Sequence, residues 1–420
     1  MSKLAINRGE KTVTIPQRDG WEQVTEDEIQ IVTDMLRRGE LSSAGRGVMA
    51  EFEQEFAEFM GAKYCLSQNS GTSTLHAAYF AAGVGPGDEV IVPSYTWHAT
   101  ATPVLHTNGI PVFCEIDPHS LTVDPDDLKK RITPRTKAVA VVHLFGYVAN
   151  MDAIMKVADE HSLIVIEDCS HAHGAEWDGK KVGTIGHIGC FSLQASKPVI
   201  AGEGGAIITD DTEFYERILI LGHYGRIARD LVTEKYRHLG NMGIGWKYRA
   251  HPLAVGIARV QLSRLNELNE KRGQIAQYWD EEFSKLPGIE PLYTYPKAKR
   301  GGYLGYLLIY HAEELGGLPK EKFMAALQAE GVSASEGGYG GNLHLQSLFN
   351  GFNFYGDRGC PFGCLYVDKV RKYEKGSLPV TETVAPKVIS LPVFTEPPDG
   401  LIEQYVDAFR KVVENIGEIQ

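Results

Sequence analysis

The chain has 420 residues, of which 43% are hydrophobic and 23% are charged, and its formal net charge is −12. This is the composition of a globular protein large enough for two domains, and the negative charge argues against a nucleic-acid partner, because no run of lysine and arginine offers a surface for phosphates. We expect a cytoplasmic protein without a membrane span, since the first ~15 residues lack an apolar signal core and the longest apolar stretch, residues 138–149, is short and contains His143.

Amphipathic segments and short apolar runs alternate along the first part of the chain. Apolar residues at helical spacing predict helices over residues 24–38 and 51–59. Runs that are apolar on consecutive residues are typical of strands buried on both faces of a sheet, and they occur at residues 90–93, 111–113, 138–142, 163–166 and 206–209. This alternation predicts an α/β fold with a mostly parallel sheet, in which ligands bind beyond the carboxyl ends of the strands.

The last third of the chain shows a different pattern. A helix over about residues 252–272 is long enough to bridge two domains, and a strand at 303–310 and helices at 320–330 and 402–416 predict a smaller α+β unit. We therefore expect an N-terminal segment (1–20), a large domain (21–265) and a small C-terminal domain (266–420). A loop as long as residues 350–377, rich in glycine and aromatic residues, is expected to be functional.

Lys197 lies in a polar loop, residues 191–205, that closes on three glycines. Most lysines are solvated surface charges. Here, however, Pro198 disfavours a helical conformation at Lys197, and glycines allow the backbone to fold closely around a ligand. A desolvated lysine loses its proton more readily and can form a Schiff base with a carbonyl, for which pyridoxal phosphate is the first candidate.

Two earlier stretches could serve the same cofactor. Residues 67–78 place a polar, glycine-containing turn at the start of an alanine-rich helix, where a phosphate could bind, although an ordinary capped helix explains the same pattern. Residues 163–173 form an apolar run that leads into Asp168, His171 and His173. An acid at a strand end could hold the cationic ring nitrogen of pyridoxal phosphate. A divalent metal on these three side chains is the less favoured alternative.

The six cysteines give little further information. Cys360 and Cys364 form the only close pair, without a histidine or second pair at zinc-like spacing. Because disulfides are rare in the cytosol, we expect this pair to have no structural role beyond packing or a loop.

The phosphate turn, the acid and the lysine follow one another in an order that is far more specific than any one of them. With them, the chain resembles the DegT/DnrJ/StrS family of sugar aminotransferases, a branch of the pyridoxal-phosphate fold type I enzymes, over nearly its whole length. The segments that carry the resemblance are residues 51–61, 70–72, 85–93, 142–146, 166–168, 192–205, 343–346, 378–382 and 390–392.

The resemblance implies a role for each candidate residue and a pyridoxal phosphate cofactor that passes through pyridoxamine phosphate. Lys197 would form the Schiff base and act as the catalytic base. Asp168 would contact the ring nitrogen, and His171 the ring's 3′-oxygen. The phosphate would be held by Gly71, Thr72 and Ser192. Trp97 would stack on the ring, and a core tryptophan is the alternative for this residue. The family also implies a homodimer with shared sites, each of which takes a residue from the partner's Gly-x-Asn-Tyr-Arg motif. Lys247 stands here in place of the asparagine, and a lysine can serve the cofactor's phosphate as a point charge.

The acceptor remains open at this stage. Residues 316–323 and 350–377 look most like the glutamine-dependent branch that aminates scyllo-inosose, a cyclitol ketone, in aminoglycoside biosynthesis. Other members aminate nucleotide-diphosphate ketosugars, with L-glutamate as the alternative donor. Sugar dehydratases of the family are disfavoured because they carry histidine in place of Lys197, and a non-catalytic binding protein would not need the lysine.

Overall fold

The computed structural model describes residues 3–337, 342–356, 359–363, 365–367 and 370–419. Its strands are β1 (Tyr64–Gln68), β2 (Glu89–Pro93), β3 (Ile110–Cys114), β4 (Thr136–Val142), β5 (Ile164–Asp168), β6 (Glu176–Trp177), β7 (Lys180–Lys181), β8 (Ile188–Ser192), β9 (Gly205–Thr209), β10 (Ile289–Pro291), β11 (Ala298–Lys299), β12 (Tyr306–Tyr310), β13 (Ser335–Glu336) and β14 (Val388–Leu391). Its helices are α1 (Glu26–Arg37), α2 (Val48–Met60), α3 (Gly71–Ala81), α4 (Thr102–His106), α5 (Pro125–Arg131), α6 (Met151–His161), α7 (Thr212–Gly222), α8 (Ile227–Asp230), α9 (Pro252–Phe283), α10 (Lys320–Ala329), α11 (Pro379–Val384) and α12 (Leu401–Glu414).

A seven-stranded sheet with the order β1-β9-β8-β5-β4-β2-β3 forms the larger core. Only β9 runs antiparallel to its neighbours, and β2, β3, β8 and β9 are buried at every residue. The mostly parallel sheet predicted from the sequence is therefore confirmed. Two of its strands, β1 and β8, were not predicted, since both are short and contain polar residues.

A second sheet, β10-β12-β14-β13, packs with α10, α12 and the end of α9 around an aromatic core. Here α9 is a continuous helix of 32 residues that extends well beyond the predicted end at residue 272. The predicted boundary at residue 265 falls inside this helix, and the division into domains stays a prediction.

The described part of residues 350–377 packs against the edge strand β3. The Phe113 N–H donates to the Tyr373 hydroxyl at 2.8 Å, and the two rings meet edge to face with their centroids 5.5 Å apart. Cys360 is disulfide-bonded, so the expectation of a packing role alone is wrong for this residue, and Cys364 lies outside the described residues. Across the described ranges, every helix is too short or too polar to cross a membrane.

Candidate active site

A cavity of about 480 Å³ lies at the carboxyl ends of β5 and β8. It is lined by seven of the eight residues that the sequence analysis singled out: Gly71, Thr72, Trp97, Asp168, His171, Ser192 and Lys197. Parallel pairing places Asp168 opposite Cys190, so β5 and β8 end at the same edge of the sheet. The eighth residue, Lys247, is exposed and does not line this cavity.

One wall of the cavity is the amino terminus of α3. The helix begins at Gly71, and Ser70 caps it by accepting the Ser73 N–H at 3.0 Å. The first N–H groups of a helix have no partner within it and lie at the positive end of its dipole. A Cβ atom on Gly71 would lie 2.6 Å from the Ser192 Cβ, so only glycine allows the helix start to approach β8 this closely. The Gly71 and Thr72 N–H groups and the Ser192 hydroxyl thus surround a space that suits a phosphate.

Asp168, the last residue of β5, is only 6% exposed. One carboxylate oxygen accepts the Ser170 N–H at 3.1 Å, and the other accepts the Thr100 hydroxyl at 2.8 Å. Each carboxylate oxygen can accept a further hydrogen bond. The side chain therefore has acceptor capacity left for a cationic ligand group in the cavity.

His171 lines the same cavity and is buried. Its Nδ1 accepts the Phe145 N–H at 3.3 Å, so the proton of the neutral ring is on Nε2. Burial, and after it the positive charge of Lys197, lower the pKa of His171 well below the usual value. The side chain is consequently a neutral hydrogen-bond donor.

Lys197 sits in a loop whose ends are held by backbone hydrogen bonds, from Ala195 N–H to the Gly202 carbonyl and from Lys197 N–H to the Gln194 carbonyl. Gly202 has φ of +81°, which favours glycine there. Burial lowers the pKa of the Lys197 amine, and Asp168 partly opposes this. A half-buried amine with a lowered pKa, beside a carboxylate, can act as a nucleophile and a base.

Trp97 lies at the cavity wall. Its side chain is 50% exposed and lines the cavity, so the alternative of a core tryptophan is wrong. An aromatic face at the cavity wall can stack on a flat heteroaromatic ring. The rest of the polar lining was not among the predicted site residues, and it consists of Ser70, Thr96, Ser170, Gln194, Ser196 and Glu203.

The alternative of a metal on Asp168, His171 and His173 finds no matching cluster among the described residues. Possible metal-ligand atoms come together instead at His143, Glu167 and Cys169, which are all buried. The Glu167 carboxylate is already occupied there, because it accepts His143 Nε2–H at 2.9 Å and three backbone N–H groups of the 183–186 loop. This cluster is a hydrogen-bonded part of the core.

Comparison with known proteins agrees with this geometry. The profile of the DegT/DnrJ/EryC1/StrS aminotransferase family matches residues 22–410. The chain belongs to this family. It is 32% identical to an L-glutamine:scyllo-inosose aminotransferase of Streptomyces griseus over 100% of this chain and 99% of that protein. It is 37% identical to an L-glutamine:2-deoxy-scyllo-inosose aminotransferase of Streptomyces kanamyceticus over 78% of each.

Solved structures give the same assignment. The crystal structure of DesI in the presence of its TDP-sugar product has a TM-score of 0.78 and 27% identity, and covers 99% of this chain and 96% of that one. The chain is therefore an aminotransferase of the pyridoxal-phosphate-dependent class, with the fold type I architecture predicted from its sequence. The residues present fit that cofactor. One cavity is lined by the start of α3 at Gly71, by the buried carboxylate of Asp168 and by the amine of Lys197.

Proposed function

We propose that this cavity holds pyridoxal phosphate and transfers an amino group from L-glutamine to a ketone of an uncharged cyclitol or sugar. Such a reaction would serve aminoglycoside or amino-sugar biosynthesis. The observation that supports it most strongly is the meeting of Lys197 and Asp168 in one cavity, with the pKa of the lysine amine lowered by burial.

Each side chain has a separate task in this proposal. The Gly71 and Thr72 N–H groups and the Ser192 hydroxyl bind the phosphate, while Trp97 covers the ring. Asp168 holds a proton at the ring nitrogen, and His171 donates from Nε2 to the ring oxygen. When bound, the cofactor supplies the electron sink that weakens the bond from the donor's α-carbon to hydrogen.

Lys197 performs the proton transfer. Its neutral amine would take the proton from the α-carbon of the amino donor. The resulting ammonium would then pass the proton to the C4′ atom of the cofactor. Desolvation favours the neutral form, and Asp168 keeps the protonated form accessible. The same amine serves both half-reactions, since the second is the reverse of the first on a different carbonyl.

The charge of the cavity favours an uncharged acceptor over a nucleotide-linked one. Among its described lining residues, Lys197 is the one lysine or arginine, while Asp168 and Glu203 are acidic. A diphosphate needs cationic or N–H partners beyond those that already serve the cofactor. The relatives named for inosose substrates support this choice, whereas DesI with its TDP-sugar product supports the alternative acceptor.

Acceptor kinetics test this choice directly. With L-glutamine as donor, we expect kcat/KM for scyllo-inosose to exceed that for a TDP-linked ketosugar by at least about tenfold, which corresponds to ~1.4 kcal/mol of transition-state binding. The reverse preference would assign the chain to nucleotide-sugar amination and leave the aminotransferase itself intact.

We further propose that two copies share their active sites, with Lys247 binding the cofactor's phosphate in the partner's cavity. Lys247 is exposed beside the exposed apolar side chains of Met242, Ile244 and Trp246, and such patches mark contact surfaces. Mixing inactive Lys197→Ala protein with impaired Lys247→Ala protein tests this. If chains assort at random, half the dimers are mixed and carry one intact site each, so about a quarter of wild-type activity returns. No recovery after verified chain exchange would contradict site sharing.

A further inference from the structure

We propose that Thr100, supported by Thr96, is a positioning residue that orients the Asp168 carboxylate and stabilises its negative charge for the cofactor's ring nitrogen. Two hydrogen bonds carry this inference. The Thr100 hydroxyl lies 2.8 Å from a carboxylate oxygen of Asp168, and the Thr96 hydroxyl lies 3.1 Å from that of Thr100. The inference deepens the proposed function, since it assumes that Asp168 pairs with the cofactor's ring nitrogen.

The direction of these bonds follows from the chemistry of the carboxylate. An ionised carboxylate only accepts hydrogen bonds, so Thr100 donates its one hydroxyl proton to Asp168. The Thr100 oxygen must then accept, and Thr96 is the donor. Both threonines are buried, with Thr100 0% and Thr96 1% exposed, which keeps water from replacing either bond.

The hydroxyl of Thr100 is separate from the contact that fixes its backbone. The Thr100 carbonyl accepts the hydroxyl of buried Tyr79 at 2.6 Å. Replacing the threonine by valine removes the donor to Asp168 and keeps both this anchor and the side-chain shape. The functional and structural roles of Thr100 can therefore be tested separately.

Donation to a carboxylate stabilises its charged form and lowers its proton affinity. Without the Thr100 donor, Asp168 would hold a proton at the ring nitrogen of a bound cofactor less firmly. A less positive ring would withdraw less charge from the group joined to Lys197, so the pH midpoint of the bound cofactor's absorbance would rise. The other titratable groups that act on Asp168 or lie beside it are Lys197, Tyr79, His171, Glu167, Cys169 and Cys190, and none of them changes in this variant.

Two readouts on protein loaded with pyridoxal phosphate test the inference. For Thr100→Val we expect the cofactor dissociation constant to rise about tenfold, and the pH midpoint of the bound cofactor's visible absorbance to rise by about one unit, as the loss of one charge-assisted hydrogen bond implies. Thr100→Ser keeps the hydroxyl donor, so it should keep the dissociation constant within about twofold of the wild-type value and leave the pH midpoint close to that of the wild-type protein. Thr96→Val should shift the midpoint in the same direction by a smaller amount, because Thr96 acts on Asp168 only through its hydrogen bond to Thr100.

Thr122→Val is the matched control. Thr122 is also buried, and its hydroxyl bonds Ser120 at 2.9 Å, away from the cavity. We expect this variant to keep the wild-type affinity and midpoint. An unchanged midpoint in both Thr100→Val and Thr96→Val, or an equal shift in Thr122→Val, would overturn the inference. Failure of the wild-type protein to bind pyridoxal phosphate would instead overturn the proposed function on which it rests.

Discussion

Glu167 and Asp168 are consecutive carboxylates on β5, and they face opposite sides of the sheet because side chains alternate along a strand. Glu167 is 0% exposed and accepts hydrogen bonds from His143 and from three backbone N–H groups of the 183–186 loop. Asp168 accepts two and faces the cavity beside Lys197. One face of β5 thus uses its carboxylate to hold the fold together, while the other keeps acceptor capacity for a ligand.

The largest effect should come from the cavity side of this comparison. We expect Lys197→Ala to lower turnover by more than about 10⁴-fold, since the amine is proposed to be both nucleophile and base. The free energy of unfolding should not fall, because the variant removes a half-buried charge. Steady-state kinetics and urea unfolding measure the two quantities. A variant that keeps a tenth of the wild-type turnover would end the proposed role of Lys197.

Asp168→Asn changes the same face without changing its shape. An amide cannot hold a proton at a ring nitrogen as a carboxylate does, so we expect kcat to fall by about 10²- to 10⁴-fold and cofactor affinity to weaken. The free energy of unfolding should change by less than about 1 kcal/mol, since the amide oxygen still accepts one of the two hydrogen bonds. Wild-type kinetics in this variant would remove Asp168 from the chemistry.

Glu167→Gln is the matched change on the opposite face. The new amide NH₂ group would point at backbone N–H donors or at His143, so we expect a loss of about 2–4 kcal/mol in the free energy of unfolding. The folded fraction should keep kcat within about threefold of the wild-type value. Equal effects of Asp168→Asn and Glu167→Gln on both stability and kcat would break the distinction between the two faces.

The smallest predicted effect is a pH dependence that comes from the core rather than the cavity. His223 is buried, and neither ring nitrogen has a hydrogen-bond partner among the residues that the structure describes. Burial, followed by Arg226 and Arg249, lowers the pKa of His223 to about 3. Between this value and the unfolded pKa of about 6.5, only the unfolded chain binds the proton, so the contribution of His223 to stability is lost as the pH falls, by up to ~1.4 kcal/mol per pH unit.

His223→Gln should therefore reduce the slope of the free energy of unfolding against pH between pH 6.5 and pH 5. The reduction should correspond to about one proton bound on unfolding. The exposed His238 provides the control, and His238→Gln should leave the slope unchanged. Urea unfolding at several pH values measures both slopes. A slope in His223→Gln as steep as in the wild-type protein would contradict the assignment.

The sequence predicts which residues line the cavity better than it predicts the hydrogen bonds that hold those residues in place. Gly71, Asp168 and Lys197 stand at helix starts, strand ends and loops, where local patterns carry information about ligands. The Thr100–Asp168 and His143–Glu167 bonds join residues that are 68 and 24 positions apart, and no local periodicity records such pairs. Strand β8 was missed because a run of five residues with a glycine and a serine gives no strong period. The catalytic and binding roles of the cavity residues stay predictions.

The central claim is that this cavity uses pyridoxal phosphate to accept an amino group. The most direct test is the absorbance spectrum of the cofactor-loaded protein before and after L-glutamine is added, with no acceptor and with L-glutamate in a parallel sample. We predict that L-glutamine converts the spectrum to that of pyridoxamine phosphate in the wild-type protein and leaves Lys197→Ala unchanged. Conversion by L-glutamate alone would change the proposed donor. No conversion by either amino acid would contradict the account.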